Sequence, residues 1–277
     1  MTQETKEIRF AFGKNWASFS KEIDDEKVNQ AIKRLASLIS PLTLEGKSFL
    51  DIGCGSGLHS LAALELGAAS VTAFDLDPDS VSTAQAVLGA RGDDKPYSVR
   101  IRSVLDASPA EDGLFDMVYS WGVLHHTGQM YEAITRAAAL VAPEGHLVIA
   151  LYGKTRYCGV WTRIKRWYVQ ADDASKAWAE RLYIRLFGAY LLLRGKTLKQ
   201  HIAKYKNKRG MDFYHDVRDW IGGYPYESIA PEPLKRFLAD QGFECVKAIA
   251  KRRSGLFGSG CDEYVFKRVA STTLASH

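Results

Sequence analysis

The stretch FLDIGCGSGLHS, residues 49–60, decides the fold of this chain. A short apolar run that ends in a glycine-rich turn is typical of a buried strand leading into a helix. The glycines stand at Gly53, Gly55 and Gly57, whereas a dinucleotide-binding turn has its third glycine one position later, where this chain has Leu58. The turn therefore predicts a ligand-binding α/β fold and argues against a dinucleotide as its ligand.

Strand and helix patterns alternate around this turn as far as residue 152. A helical spacing of apolar residues over 24–39 precedes it, and apolar strand segments follow, interrupted by helical ones, at SVTAFDLD, SVRIRSVLD, FDMVYSWG and HLVIALY. The segment YEAITRAAALVA predicts the helix before the fifth strand, closed by PEG. Five alternations predict a doubly wound, mostly parallel sheet with helices on both faces.

The pattern changes after residue 152, which divides the chain into three predicted parts. Residues 1–152 form an N-terminal helical lid and the ligand-binding α/β core. Residues 153–230 are basic, aromatic and helical in character, and we expect them to form an inserted cap over a substrate. Residues 231–277 return to a helix and two strands around a glycine-rich connection, which predicts an antiparallel hairpin that completes the core.

Composition excludes several classes of protein. The 277 residues are 46% hydrophobic and 25% charged, as in globular domains, and no apolar run reaches the ~18 residues of a membrane span. The polar start MTQETKEIRF has no signal-peptide core. Four cysteines without C-x-x-C spacing fit a reduced, cytoplasmic compartment and argue against disulfides or a zinc site.

Charge is distributed unevenly along the chain. The net charge is +5, but residues 154–209 contain 15 Lys and Arg against three acids, so this segment carries +12 and the remainder −7. A basic block on an acidic protein indicates an anionic partner, which could be a phosphorylated or carboxylated substrate, a nucleic acid or a membrane surface. The alternative is a solvated helical surface without a charged partner.

Three acidic residues stand at the ends of three consecutive strands. Asp51 lies just before the glycine turn, Asp75 ends the second strand and Asp106 ends the third. The carboxyl ends of parallel strands meet at one edge of a sheet, so we expect these carboxylates to surround one ligand. They would repel a pyrophosphate and attract an ammonium or sulfonium group. The predicted ligand is a cation that carries an adenosine, which S-adenosylmethionine matches, with S-adenosylhomocysteine as its product.

Each acid has an expected partner on that cofactor. Asp75, 22 residues after Gly53, is placed to accept hydrogen bonds from both ribose hydroxyls, and Asp106 from the exocyclic amine of adenine. The alternative for either acid is that it caps a turn. The expected apolar contacts of the adenine ring are Leu76, Val104 and Leu105. The predicted cofactor-binding residues are Asp51, Gly53, Gly55, Gly57, Asp75, Leu76, Asp106 and Trp121.

The sequence resembles the class I S-adenosylmethionine-dependent methyltransferases. The residues that carry the resemblance are FLDIGCGSG, AFDLDPDSV, SVLD, FDMVYSWGVLHH and LVAPEGHLVIALY. The resemblance implies a Rossmann-like sheet of seven strands whose last strand is antiparallel. The segment RFAFGKNWASF, with Phe10 and Trp16, is similar to the leading segment of small-molecule enzymes of this class, such as those of quinone biosynthesis, where it helps to close the site.

Methyl transfer requires alignment of the nucleophile, exclusion of water and, for a hydroxyl nucleophile, removal of a proton. Histidine is the side chain whose pKa lies closest to working pH. SWGVLHHTG puts His125 and His126 beside the expected methyl group, although a cofactor contact or a hydrogen bond at a helix start is an alternative role. The sequence does not separate the two histidines, and His215 is a third candidate base.

The segment RGMDFYHDVRDWIGGYPYE, residues 209–227, mixes aromatic and acidic residues with two glycines, a composition of site-forming loops. We expect a substrate lid here, and the alternative is a connection that docks the insertion on the sheet. The His215–Asp216 pair could bind a divalent metal, but no metal is expected. The predicted substrate-binding residues are Phe10, Trp16, Tyr152, Trp161, Tyr214, Tyr224 and Tyr226.

The apolar run from Leu182 to Leu193 is too short to span a bilayer. It predicts an ordinary buried helix or, alternatively, a surface that covers an apolar substrate or touches a membrane. The favoured function is methylation of a small molecule, at the hydroxyl of an anionic or aromatic, lipid-like acceptor. The alternative is an RNA methyltransferase that holds phosphates with its basic insertion, although nucleic acid is not favoured as a partner. Self-association and peripheral membrane contact remain open.

Overall fold

Seven strands form one mixed sheet in the computed structural model, which describes residues 23–91, 95–209, 213–250 and 260–269, with the backbone alone at 204–209 and His215. The strands are β1 (Ser48–Ile52), β2 (Ser70–Asp75), β3 (Tyr97–Ile101), β4 (Phe115–Trp121), β5 (Val141–Tyr152), β6 (Phe243–Ile249) and β7 (Cys261–Arg268). Their order is β3-β2-β1-β4-β5-β7-β6, and β7 is antiparallel to both of its neighbours. The predicted doubly wound sheet with an antiparallel last strand is confirmed.

Helices cover both faces of the sheet. One face carries α1 (Asp25–Ile39), α2 (Leu58–Glu65) and α3 (Pro78–Arg91), and the other carries α5 (Met130–Ala139) and α10 (Pro231–Ala239). The short α4 (Pro109–Asp112) precedes β4. In α1, the carboxylate of Asp24 accepts a hydrogen bond from the Lys27 backbone N–H at 2.9 Å and caps the first turn, while Leu35 and Leu38 reach the core. The helical spacing over 24–39 therefore predicts both the helix and its buried face.

Parallel pairing brings the loops that follow the first four strands to one edge of the sheet. Ile52 pairs with Phe74, Asp75 with Ile101, and Trp121 with Ala150. The glycine turn is attached to this edge because the backbone N–H groups of Gly53 and Cys54 both donate to the Phe74 carbonyl, at 2.7 and 3.0 Å. Residues at the ends of β1 to β4 therefore converge as the sequence predicts.

The boundary between α5 and β5 differs from the prediction. The helix ends at Ala139, and β5 begins at Val141 instead of after the PEG segment. Phe115 pairs with Val141 and Met117 with His146, so residues 142–145 form an irregularity within the strand. Within this irregularity, Glu144 has a positive φ of 60°. The β-branched Val141 extends the sheet pairing, which outweighs the local helical pattern.

The cap, which we define as residues 153–230, lies between β5 and α10. The helices described in it are α6 (Cys158–Gln170), α7 (Asp173–Leu193), α8 (Leu198–Arg209) and α9 (Phe213–Gly222). They share a small apolar core that includes Tyr168, Phe213, Val217 and Ile221. Gly153 and Ile229 form a parallel bridge, so the chain enters and leaves the cap side by side.

Two expectations for the cap were wrong. The segment 209–227 is not a loop throughout, since α9 occupies its centre and buries the apolar residues that recur every four positions, Phe213, Val217 and Ile221. In α7 only Leu191 is buried, so this helix is not an ordinary buried one. Within the described residues, no helix combines the length and the apolar character needed to cross a bilayer.

Candidate active site

The glycine turn is a closely packed structure with left-handed backbone angles. The φ angles of Gly53, Gly55 and Gly57 are 74°, 54° and 76°, which residues with a Cβ rarely adopt. A Cβ on Gly53 would lie 2.4 Å from the Val123 side chain, and one on Gly57 would lie 2.9 Å from Ala84. Two of the three glycines are therefore also required because the glycine turn is packed tightly against α3 and the loop after β4.

Asp75 connects the end of β2 to the glycine turn. One carboxylate oxygen accepts the backbone N–H of Gly55 and the other accepts that of Asp77, both at 2.9 Å. Burial raises the pKa of Asp75, and these hydrogen bonds act in the opposite direction. A carboxylate has about four acceptor positions, so two are used here and two can still receive hydroxyl groups.

Asp51 lies beneath the turn and not at its surface. It is 2% exposed, and its carboxylate accepts a hydrogen bond of 2.7 Å from the Ser60 hydroxyl on α2. Burial raises the pKa of Asp51 to about 7. The carboxylate is therefore only partly ionised near neutral pH, and its position suits holding the turn against α2 better than attracting a cationic ligand.

The end of β3 offers one exposed carboxylate and one exposed apolar side chain nearby. Asp106 is exposed at the end of the 3₁₀ turn Val104–Asp106, and Leu76, which follows β2, is 51% exposed. Val104 is buried in the core behind the turn, so little of its side chain is exposed for the predicted contact with the adenine ring. Leu76 and the partly buried Leu105 remain available for that role.

Trp121 at the end of β4 belongs to a cluster of charged residues that the sequence does not reveal. Its indole N–H donates to Glu263 on β7 at 2.8 Å. The Arg34 guanidinium lies 4.6 Å from the indole centroid and pairs with the same Glu263 carboxylate at 3.3 Å. Arg34 and Glu263 are 229 residues apart, so no local spacing signals the cluster. The predicted cofactor contact of Trp121 would have to use its ring face.

The structure distinguishes the two adjacent histidines. His126 donates from Nδ1 to the Pro225 carbonyl at 2.6 Å, which leaves Nε2 as the nitrogen that can accept a proton. His125 is fully buried, with its ring centroid 4.0 Å from that of Tyr152, and neither of its ring nitrogens has a partner among the described residues. Only His126 is therefore held in a defined orientation by a hydrogen bond.

Both imidazoles are neutral at physiological pH. Burial, followed by the charge of the nearby Lys165 ammonium, lowers the pKa of His126 to about 3, although the bond to Pro225 acts in the opposite direction. Burial, His126 and Lys165 also lower the pKa of His125. A neutral imidazole can accept a proton, but a low pKa limits the driving force for that transfer.

An aromatic cluster from the end of β5 and the cap adjoins the histidines. The ring centroid of Tyr152 lies 5.1 Å from that of Tyr226 and 5.5 Å from that of Trp220, and Trp161 lies 4.9 Å from Trp220. Three of the predicted substrate-binding residues, Tyr152, Trp161 and Tyr226, thus come together. The sequence points to this cluster through the aromatic content of α6 and of residues 209–227.

Lys165 lies inside the aromatic cluster, and sequence reasoning missed it. It is fully buried, donates from Nζ to the Trp220 carbonyl, and lies 3.9 Å from the Trp220 ring centroid and 5.0 Å from that of Tyr226. Burial lowers the pKa of Lys165 to about 7, with the charge of Asp219 acting in the opposite direction. Nothing separates Lys165 in sequence from its exposed basic neighbours, Arg163 and Arg166.

The segment 223–229 closes the cap over the His pair. The Glu227 backbone N–H donates to the His125 carbonyl, and the Glu227 carboxylate accepts the Met130 N–H, both at 3.0 Å. A Cβ on Gly223 would lie 2.8 Å from the His126 ring, so only glycine fits against this imidazole. This segment therefore fixes the loop after β4 to the start of α5.

Of the other predicted substrate-binding residues that the structure describes, Tyr214 and Tyr224 are not among the rings of this cluster. Tyr214 is 51% exposed and packs its ring edge against Phe213, and no ring contact is described for Tyr224. His215 lies on α9 with its side chain outside the described part of the chain, and Phe10 and Trp16 also lie outside it. Burial, followed by the charge of Asp219, raises the pKa of Asp216 to about 7. Across the described residues, no three His, Cys, Asp or Glu side chains are grouped as metal ligands.

Curated relatives match part of this chain. A tRNA U34 carboxymethyltransferase of Methylococcus capsulatus is 37% identical over 119 residues, which are 42% of this chain and 35% of that protein. A ubiquinone biosynthesis O-methyltransferase of Xanthomonas campestris is 34% identical over 122 residues, 44% of this chain and 50% of the relative. The chain thus spans about a third to a half of the length of the curated relatives it matches.

Solved structures share the fold over most of the chain. The magnesium protoporphyrin IX methyltransferase of Synechocystis, crystallised with bound SAH, superposes with a TM-score of 0.52 at 16% identity, over 90% of this chain and 86% of that one. The family described as "Methyltransferase domain" matches residues 24–248, most of the chain. The chain therefore belongs to this methyltransferase family and has the Rossmann-like fold of its solved neighbours.

Proposed function

We propose that the enzyme methylates a hydroxyl oxygen on a small, aromatic or lipid-like acceptor that carries negative charge. The observation that carries this proposal is the aromatic cluster of Tyr152, Trp220 and Tyr226 around the buried Lys165, next to the His pair. Aromatic walls favour a flat apolar molecule, and an ammonium group favours an anionic substituent on it.

The proposed cofactor site is the edge formed by the glycine turn, Asp75, Leu76 and Asp106. The fit to S-adenosylmethionine is supported by the two acceptor positions that remain on Asp75 for the ribose hydroxyls. It is also supported by the exposed Leu76, which an adenine ring would cover, and by the exposed carboxylate of Asp106. When bound, the cofactor supplies an activated methyl group.

Of the two adjacent histidines, which the sequence does not separate, His126 is the proposed proton acceptor. Its Nδ1–H is held by the Pro225 carbonyl, so Nε2 has the lone pair that a hydroxyl proton requires. His125 is proposed to position Tyr152 through their ring contact at 4.0 Å. Alignment supplies most of the rate in such a displacement, on the order of 7–11 kcal/mol in favourable cases, so a weak base suffices.

RNA methylation is the second candidate, and two observations favour it. One relative acts by its name on tRNA U34, and basic residues on the outer faces of α6 and α7, such as Arg163 and Arg181, are exposed. Against it, Lys165 is the one described basic side chain of the cap that is buried, and its surroundings are aromatic. A basic exterior around an aromatic interior fits a small acceptor better than a phosphate backbone.

A methylation screen tests the proposal. We expect transfer from S-adenosylmethionine to phenols and aromatic acids, with mass spectrometry locating the methyl group on oxygen, and no transfer to tRNA. Tyr226→Ala should raise the acceptor KM by roughly tenfold, because one wall of the cluster is lost. Tyr131→Ala, which removes a tyrosine that is 48% exposed outside the cap, is the matched control and should leave the acceptor KM unchanged. Methylation of tRNA with no small-molecule turnover would establish the second candidate instead.

A further inference from the structure

Helix α7 carries a row of exposed apolar side chains on the outside of the cap. Trp178 is 57% exposed, Leu182 38%, Leu186 50% and Leu193 89%. At 3.6 residues per turn these four positions and Ala189 lie within an arc of about 80° of the helix. We call these five residues the α7 stripe. Isolated exposed apolar residues are ordinary, but an aligned row of this length marks a contact surface.

The opposite side of α7 is the one that packs on the rest of the cap. Tyr183, Ile184 and Phe187 point toward the apolar core that contains Tyr168 and Phe213. The α7 stripe is therefore not required to hold the helix in place, and its apolar character needs another explanation.

Positive charge borders the α7 stripe, and negative charge is turned away from it. Arg181 and Arg185 are exposed and follow the edge of the stripe on the helical wheel. Glu180 faces inward, where its carboxylate accepts the Tyr168 hydroxyl and pairs with Arg218. The other acid of this helix, Asp173, stands in its first turn. An apolar row bordered by arginines is the composition of helices that lie in a membrane interface.

We infer that the α7 stripe binds the surface of a membrane that contains anionic phospholipids, with α7 lying in the plane of the interface. Leucine and tryptophan side chains would enter the headgroup region, and Arg181 and Arg185 would pair with lipid phosphates. The net charge of +12 over residues 154–209 is complementary to such a surface. This surface contact extends beyond the proposed reaction and does not depend on it.

Charge also disfavours a second copy of the chain as the partner that binds the α7 stripe. Two α7 stripes facing each other would bring the arginines of both copies into one interface without acids to pair them. An anionic bilayer removes this repulsion and provides a counter-charge.

Vesicle binding tests the inference on the full chain. We expect sedimentation with vesicles of phosphatidylcholine and phosphatidylglycerol but not with phosphatidylcholine alone. The double variant Leu182→Ser/Leu186→Ser should reduce partitioning by about tenfold or more, since two buried apolar side chains are lost. Arg181→Gln and Arg185→Gln should each reduce it about fivefold. Leu114→Ser, which removes a leucine that is 47% exposed outside the cap, should have no effect.

Three results would overturn the inference. They are equal binding of the wild type to neutral and anionic vesicles, absence of binding to either, and unchanged binding of the Leu182→Ser/Leu186→Ser variant. Light scattering without lipid adds a fourth: a dimer that this variant dissociates would assign the stripe to a second copy. Circular dichroism shows whether the variants retain their helices, so a loss of binding can be attributed to the surface.

Discussion

Different kinds of interaction stabilise the proposed cofactor site and the cap. We call the first the cofactor edge and define it as the glycine turn with the carboxyl ends of β1 to β4. At the cofactor edge, β1 and β4 are almost wholly buried, and the glycine turn is tied to β2 through backbone groups of Gly53 and Gly55. In the cap, a 21-residue helix buries a single residue. Apart from the backbone bonds of residues 223–229, aromatic rings and one buried lysine make the cap's described contacts with the end of β5. Backbone geometry thus defines the first region, and side-chain chemistry defines the second.

This difference separates the two halves of the reaction. A cofactor shared by many enzymes requires the same backbone and carboxylate positions each time, whereas an acceptor is recognised by side chains that can vary on one fold. Substitutions at the cofactor edge should therefore change cofactor affinity, and substitutions facing the cap should change turnover or acceptor binding. The predictions below test that division.

The largest expected effect is at the boundary of the two regions. His126→Ala should lower turnover by about 100-fold, because the proposed proton acceptor is lost, while cofactor affinity stays within a few-fold. His125→Phe, which keeps the ring against Tyr152 and removes both nitrogens, is the matched variant and should retain most of the activity. Turnover is measured at saturating cofactor and acceptor, and cofactor affinity by calorimetry.

Two outcomes would contradict this assignment. Full activity of His126→Ala would show that alignment alone drives transfer, and loss in His125→Phe alone would move the base to the neighbouring residue. Gly223→Ala gives an independent check, since its Cβ would meet the His126 ring at 2.8 Å and displace it. Gly159→Ala, on α6 with nothing within 4 Å of the added Cβ, is its control.

The second prediction concerns the cofactor edge alone. Asp75→Ala should weaken cofactor binding by roughly 1.5–3 kcal/mol, because two ribose hydrogen bonds are lost. The Gly55 N–H also loses its acceptor, so Asp75→Asn, which keeps one carbonyl oxygen, should fall between the wild type and Asp75→Ala. Calorimetry with S-adenosylhomocysteine measures both.

Asp77→Ala provides the control for this prediction. Asp77 lies two residues further on, and its carboxylate accepts the Asp79 N–H at 2.9 Å in the turn that starts the next helix. The affinity of the Asp77→Ala variant for the cofactor should change by less than about threefold. An unchanged dissociation constant in Asp75→Ala would remove Asp75 from the ribose site.

The sequence predicts the cofactor edge better than it predicts the cap. The fold, the glycine turn and the acids at the strand ends depend on residues close together in the chain, and their spacing predicts them. The sequence could not show that Asp51 is buried against Ser60, because burial depends on how α2 packs on β1. It also could not distinguish two adjacent histidines, whose difference depends on Pro225, 99 residues beyond His126.

The contacts that the sequence does not reveal, inside and outside the cap, share one physical cause. Lys165 is one of many basic residues in a helix, and only the placement of Trp220 and Tyr226 around it makes it distinct. Similarly, Arg34, Trp121 and Glu263 meet only when α1, β4 and β7 have assembled. Contacts of this range are set by tertiary packing, which local composition does not encode.

The smallest expected effect is a change in the free energy of unfolding with pH, caused by the burial of Lys165 in the cap. Burial lowers the pKa of Lys165 from 10.5 to about 7, so between these values the unfolded chain binds a proton that the folded chain does not. The free energy of unfolding should therefore rise with pH across this window, by at most about 1.4 kcal/mol per pH unit, and Lys165 should contribute no slope below it. Lys165→Met should remove this slope.

Groups of opposite sign titrate in a different range, which makes the measurement specific. The raised pKa values of Asp51 and Asp216, both about 7, make stability fall as pH rises toward that value, and this slope fades within about one pH unit above it. Urea unfolding from about pH 8 to 9.5, compared between the wild type and Lys165→Met, therefore isolates the lysine. Lys196→Met, at an exposed position of the cap, is the control. Equal slopes in the wild type and Lys165→Met would mean that Lys165 stays protonated in the folded protein across this range of pH, so that its burial costs less free energy than the lowered pKa implies.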